Sequence, residues 1–213
     1  MEELLTNADP RAPGRANRIT ARKLTGQKPA LKMKEVWSIR TRLELEGDIR
    51  NLALFNLAID SKLRGCDLVR LKVNDVAAGG TVKSRGAIIQ KKTGRPVQFE
   101  ITENTRRSLR TLLARDKPLS DDYLFRGRVR SSPHLSTRQY ARIVQRWVAS
   151  IGLNPATYGT HSLRRTKAAV IYRKTGNLRA VQLLLGHTKL ESTVRYLGVD
   201  VDDALEISSS IDL

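Results

Sequence analysis

A mainly α-helical α+β fold is predicted, with a small β-hairpin or three-stranded sheet set into it. Apolar residues recur at helical spacing through most of residues 31–200, and one interval carries β-rich runs on either side of a Thr-Gly turn. Gly, Asn and Ser punctuate the helical stretches. The 213 residues are enough to bury one sizeable core, so one main domain is expected.

Residues 1–30 mix Asn, Pro, Gly and Arg with little apolar periodicity, which predicts a flexible basic arm. From Leu31, "LKMKEVWSIRTRLELEG" sets Val36, Ile39, Leu43 and Leu45 among charges, as an amphipathic helix does. The next helix, "IRNLALFNLAIDSKL", is more apolar and is expected to be central. "CDLVRLKVNDV" reads as a short third helix ending near Asn74. In "RGAIIQKKTGRPVQFEIT" the runs Ala87 to Lys91 and Pro96 to Ile101 flank Thr93-Gly94, giving the hairpin. Helical pattern returns in "ENTRRSLRTLLARD". In "STRQYARIVQRWVASIG", Ser136 and Gln139 have capping-box spacing, and Tyr140, Ile143, Val144, Trp147, Val148 and Ile151 fit one face. Three helices follow, at about 162–175, 177–185 and 189–197, the second started by Asn177 and stopped by Gly186. The last stretch, "VDDALEISSSIDL" at 201–213, is acidic and amphipathic, unlike the rest.

Lys and Arg number 39 against 21 Asp and Glu, a formal charge of +18 spread from the N-terminus through residue 195. Such a field attracts polyanions, nucleic acid being the commonest. No segment approaches the roughly 18–20 consecutive apolar residues of a transmembrane helix. The first fifteen residues carry charges and prolines where a signal peptide would carry an apolar run. Cys66 is the sole cysteine, which rules out an intrachain disulfide and Cys-rich zinc sites. A soluble, cytoplasmic protein without structural metal is expected. An RNA-binding role fits the charge, but 5% aromatic residues give few stacking platforms for single strands.

Basic and nucleophilic residues gather near element ends. Arg64 stands in "SKLRGCDL" at a helix junction, beside a Gly that allows close backbone approach. His161 and Arg164, in "THSLRR", share one face at the positive end of a helix. Lys92 marks the hairpin tip in "QKKTGR", and His187 and Tyr196 lie nine residues apart in "LLLGHTKLESTVRYLG". Taken singly, each has an ordinary explanation as a cap, a turn residue or a satisfied interior group. Taken together, they suit a phosphodiester under attack. Guanidinium forks match non-bridging oxygens bidentately, and each charge-assisted bond contributes roughly 1.5–3 kcal/mol. A Tyr nucleophile, with an ordinary pKa of about 10, needs a base or a cationic surround, which His161 and the Arg pair can supply. The leaving sugar oxygen needs a proton, and a hairpin lysine can deliver it. No Walker-type glycine loop occurs, in keeping with a transesterification that needs no ATP.

The order Arg64, Lys92, "HSLR" at 161–164, "LLGH" at 184–187 and Tyr196 resembles the tyrosine recombinase, or phage integrase, family over about residues 33–200. The resemblance implies that family's catalytic-domain fold. It also implies that Arg64 and Arg164 clamp the scissile phosphate while His161 assists proton transfer. Lys92 would protonate the leaving 5′ oxygen, His187 would hydrogen-bond the phosphate, and Tyr196 would form a 3′-phosphotyrosine. Asp67 matches an acidic position that supports the first Arg and the active-site fold. Lys91 competes with Lys92 for the acid role; a strand would turn them to opposite faces, and "KTG" favours Lys92.

The implied organisation is a basic arm at 1–30, a catalytic domain at 31–200 and a tail at 201–213. It resembles a short form without the usual N-terminal core-binding domain, similar to the fimbrial-switch recombinases. The tail either packs on its own domain or docks in trans on a neighbouring protomer. Expected partners are double-stranded DNA and further copies of the chain, monomeric in solution and tetrameric on paired sites, with an accessory DNA-bending protein as a candidate helper. No cofactor and no metal are implied. A catalytically silent DNA-binding factor and a topoisomerase IB-like nicking and closing enzyme are the alternatives.

Overall fold

The computed structural model describes residues 27–127, 132–198 and 209. Among them the order is α1 (Met33–Leu45), α2 (Ile49–Ser61), α3 (Gly65–Leu68), α4 (Val73–Val76), β1 (Ala77–Ala78), β2 (Thr81–Val82), β3 (Arg85–Ile89), β4 (Pro96–Glu100), α5 (Glu103–Asp116), α6 (Thr137–Ser150), α7 (Thr160–Thr175), α8 (Leu178–Leu185) and α9 (Leu190–Leu197). The predicted arm, up to residue 26, and the predicted tail, except Ser209, lie outside the described residues.

Helix α2 is apolar nearly all round, so it can be satisfied only in the interior. Ala53 through Ser61 are all buried, and α1, α5 and α7 surround them. Asp48 caps α2 by accepting the Asn51 N–H at 3.1 Å, meeting one of the donors a helix start leaves open. Helix α1 presents Val36, Ile39 and Leu43 to this core, but Leu45 is 84% exposed. Two residues past Leu43, it has rotated off the apolar face. Helix α6 begins as its capping signal predicts, with Ser136 Oγ accepting from Gln139 N–H at 3.1 Å. It buries Tyr140, Ile143, Val144, Trp147 and Val148, and Trp147 meets Phe55 of α2 edge-on at 5.3 Å.

The expected third helix is broken into α3 and α4. Between them Lys72 pairs with Tyr123 as a β-bridge, Leu124 N–H donates to Leu71 O at 2.8 Å, and Val73 N–H to Asp122 O at 3.0 Å. Pairing with a distant segment outweighs local helix propensity here. Two separate antiparallel pairs, β1–β2 and β3–β4, make up the β part. The first was not anticipated, although Gly79-Gly80, at φ +54° and +77°, is the two-residue turn such a hairpin requires.

The anticipated hairpin is β3–β4, registered from Arg85↔Glu100 to Ile89↔Pro96. β3 stops at Ile89 rather than Lys91, so Lys91 and Lys92 both belong to the turn. The alternation of a strand therefore does not separate them.

A smaller core lies between the last three helices. Ala168, Val181 and Leu185 are buried there, with Ile171, Tyr172, Tyr196 and Leu197 packed against them. Gly186 ends α8 at φ +63°, and a Cβ on it would sit 2.6 Å from Val97 Cγ2. Only glycine lets this helix end close onto the hairpin.

Candidate active site

Arg64 precedes α3 with extended backbone, at φ −65° and ψ 147°. The absent side chain of Gly65 lets the Tyr140 ring close in beneath it; a Cβ there would be 3.3 Å from Tyr140 Cδ1. The Arg64 guanidinium donates through Nη1 to Gln90 Oε1. Gln90, only 1% exposed, also accepts from Thr93 Oγ1 at 2.9 Å and donates to Leu185 O at 3.5 Å. One amide thus ties the first arginine, the lysine-bearing turn and the end of α8 together.

Arg164 sits one turn into α7 and is 2% exposed. Its Nη2 donates to Leu185 O at 2.6 Å and lies 3.5 Å from His187 Nε2. Its Nη1 is buried without a protein partner. An unsatisfied buried donor costs about 1–3 kcal/mol, more when charged, and an anionic oxygen would relieve it.

His187 Nδ1 is 3.1 Å from Thr193 Oγ1, and its ring meets Tyr196 edge-on at 5.4 Å. Burial, then the charges of Arg164 and Arg64, push His187 down to about 4, so it is neutral at pH 7. With an arginine N–H facing Nε2, the bonding pattern assigns the proton to Nδ1, donated to Thr193. His161 is likewise pushed down, by partial burial and then by Arg164, Arg165, Arg64 and Lys92.

Tyr196, half-buried on α9, donates to the main-chain oxygen of His161 at 3.3 Å rather than to its ring. Burial pushes the Tyr196 hydroxyl up, while Arg164, Arg165 and Arg64 pull it the other way. Asp67 is buried and accepts the Lys91 N–H at 2.9 Å, so it fastens the lysine turn, and its charge also acts on Arg164. Lys92 is exposed in that turn, within electrostatic reach of His161.

The structure therefore brings Arg64, Arg164, His161, His187 and Tyr196 to one side of the α7–α9 unit, with Asp67 on α3 and Lys92 on the hairpin turn that Asp67 fastens. Several residues around them escaped sequence reasoning. Gln90 and Thr193 carry no signal at all. Arg165 was in view within "LRR", yet neighbouring helix positions point differently, so spacing alone gave it no role. Beneath the site, Lys62 Nζ meets Glu100 at 2.8 Å, and Lys167 Nζ meets Glu100 at 2.7 Å and Asp60 at 2.8 Å. This network joins the residues before Arg64, the end of β4 and α7. Among the described residues no group of three His, Cys, Asp or Glu is placed to hold a metal ion, and no helix is long and apolar enough to cross a membrane.

Helices around a small hairpin match the tyrosine recombinase catalytic-domain fold. XerA recombinase superposes with a TM-score of 0.70 at 20% identity, over 87% of this chain and 65% of that one. XerH site-specific recombinase, bound to palindromic difH substrate in a post-cleavage complex, gives 0.67 at 23% identity, over 87% and 54%. The chain belongs to the phage integrase family, whose model matches residues 30–202. It is 29% identical over 174 residues to the probable integrase/recombinase YoeC of Bacillus subtilis, covering 82% of this chain and 91% of the relative. It is also 32% identical over 158 residues to the tyrosine recombinase XerC of Chromobacterium violaceum, covering 74% and 50%. The chain thus spans nearly all of the first relative and about half of the second.

Proposed function

We propose that the protein is a site-specific DNA recombinase that cuts and rejoins strands by transesterification. The observation that carries this reading is the buried, partnerless Nη1 of Arg164 beside Arg64, His187 and the Tyr196 hydroxyl. In this reading the two guanidiniums hold the non-bridging oxygens of the scissile phosphate, and His187 adds a hydrogen bond by moving its proton to Nε2 once the phosphate takes over the facing Arg164 N–H. The Tyr196 oxygen attacks phosphorus, its proton passes to the neutral His161 ring, and the bond to the 5′ oxygen breaks as Lys92 protonates it. The phosphodiester is conserved as a 3′-phosphotyrosine, and attack by a 5′ hydroxyl reverses the step. Lys92 is favoured over Lys91 because its charge is among those acting on His161.

The proposed organisation keeps the basic arm at 1–30, the catalytic domain at 31–200 and the tail at 201–213. The partner is double-stranded DNA, on which monomers assemble as a tetramer across paired sites, with an accessory bending protein as helper; the place of action is the cytoplasm. The relatives named as recombinases and the difH-bound neighbour support double-stranded DNA as the partner.

Covalent trapping on nicked duplexes from the gene's own neighbourhood tests it. A protein-linked strand is expected with the wild type and lost in Tyr196→Phe. Tight binding without any adduct would move the assignment to a silent DNA-binding factor, and relaxation of supercoiled plasmid without sequence preference would move it to a topoisomerase-like activity.

A further inference from the structure

Arg165 is 8% exposed, yet the acceptors that meet its guanidinium are neutral. Nη1 donates to Lys28 O and Nη2 to Gln27 Oε1, each at 2.6 Å. Its third face covers the Tyr196 ring, with 4.9 Å from the guanidinium carbon to the ring centroid, against 5.8 Å for Arg164. Residues 27–31 that supply these acceptors form a strap along the start of α7. Lys28 Nζ donates to Ala156 O, and the Leu31 N–H donates to Thr166 Oγ1 at 3.0 Å. Leu31 itself is buried in the main core. The strap and the arginine are more than a hundred residues apart in sequence, so neither was legible from the other.

A buried cation without a counter-charge is costly. The cost is repaid when a negative charge develops on the group it covers, because the same contact then changes from cation–π to cation–anion. We propose that Arg165 is a positioning residue for Tyr196: the strap at Gln27 and Lys28 holds its guanidinium over the ring, fixing the tyrosine and favouring its phenolate. It touches neither the phosphate nor the leaving oxygen in this role. The placement of the tyrosine then depends on the segment just ahead of α1, the segment into which the basic arm continues. The inference rests on the reading of Tyr196 as nucleophile only for its catalytic consequence.

The test uses the full chain with fluorinated tyrosine, whose lower pKa brings titration into the folded range. The Tyr196 ¹⁹F signal is assigned through Tyr196→Phe and titrated in wild type, Arg165→Gln, Arg165→Lys and Gln27→Ala. The midpoint should rise in Arg165→Gln, be largely rescued in Arg165→Lys, and rise less in Gln27→Ala. At saturating nicked DNA, adduct formation near neutral pH should slow roughly tenfold in Arg165→Gln. The deficit should shrink as pH rises, with DNA affinity unchanged. Gln27→Ala keeps the buried charge in place and serves if Arg165→Gln does not fold. An unchanged midpoint in the Arg165 and Gln27 variants overturns the proposal, as does a loss of DNA affinity with an unchanged saturating rate, which would make Arg165 a phosphate contact. A shifted midpoint with no wild-type adduct would keep the coupling and remove the nucleophile assignment.

Discussion

Replacing Glu100 by Gln tests the ion network beneath the site. Glu100 accepts from Lys62 Nζ at 2.8 and 2.9 Å and pairs with Lys167 at 2.7 Å. Burial would raise its pKa, but the two ammonium groups pull it from 4.5 to about 2. Such a shift is worth about 3 kcal/mol unscreened. With the Glu100 side chain 35% exposed, water screens the pair, and about 1–2 kcal/mol is the realistic contribution. The folded pKa is depressed, so this stability is fully present above pH 4.5 and is lost as pH falls through about 2. The variant also leaves Lys62, whose side chain is 0% exposed, without its carboxylate. Breaking a buried pair on one side costs roughly 3–5 kcal/mol, and the exposure of Glu100 places the expected loss at the lower end. Urea unfolding of both proteins from pH 7 down to pH 3 measures it. The gap between them should narrow on the acid side, and Lys62→Met combined with Glu100→Gln should recover part of the loss. A gap of equal size at both ends of the range would refute the electrostatic account and leave only packing.

Other outcomes follow from the site. The imidazole of His187 should titrate near 4 by NMR in the free protein and move upward when an oxyanion occupies the guanidinium pair. Removal of Arg164 should raise it too; its folded pKa lies below the ordinary 6.5, so it contributes stability above that value and loses it as pH falls through about 4. Gln90→Ala should slow adduct formation about tenfold or more with little change in DNA affinity, because it releases Arg64, the turn and α8 together. Equal losses in rate and affinity would show that Gln90 matters only for binding. Gly186→Ala should destabilise by about 1–3 kcal/mol in thermal unfolding, since a side chain at φ +63° would also strike Val97; a variant as stable as wild type would show that α8 can back away from the hairpin. DNA affinity should fall with salt at a log-log slope of about −0.9 per phosphate contact, and a shallow slope would count against an extended phosphate footprint.

Long periodic elements were legible in the sequence because their cause is local. The face of α6, the apolar ring of α2, the stop at Gly186 and the hairpin around Thr93-Gly94 each depend on residues within one or two turns. Family membership was legible for a related reason, since the side chains named for chemistry recur in a fixed order along the chain. What the sequence left undetermined depends on contacts between distant segments. The break between α3 and α4 arises from pairing with residues 120–124. The amide of Gln90 binding Arg64, the Lys62–Glu100–Lys167 network, and the strap that holds Arg165 over Tyr196 join residues 26 to 138 positions apart. A side chain's type declares what it can bond. Only the closed chain decides which partner it reaches, because that choice is made by the packing of whole elements and not by neighbours in sequence.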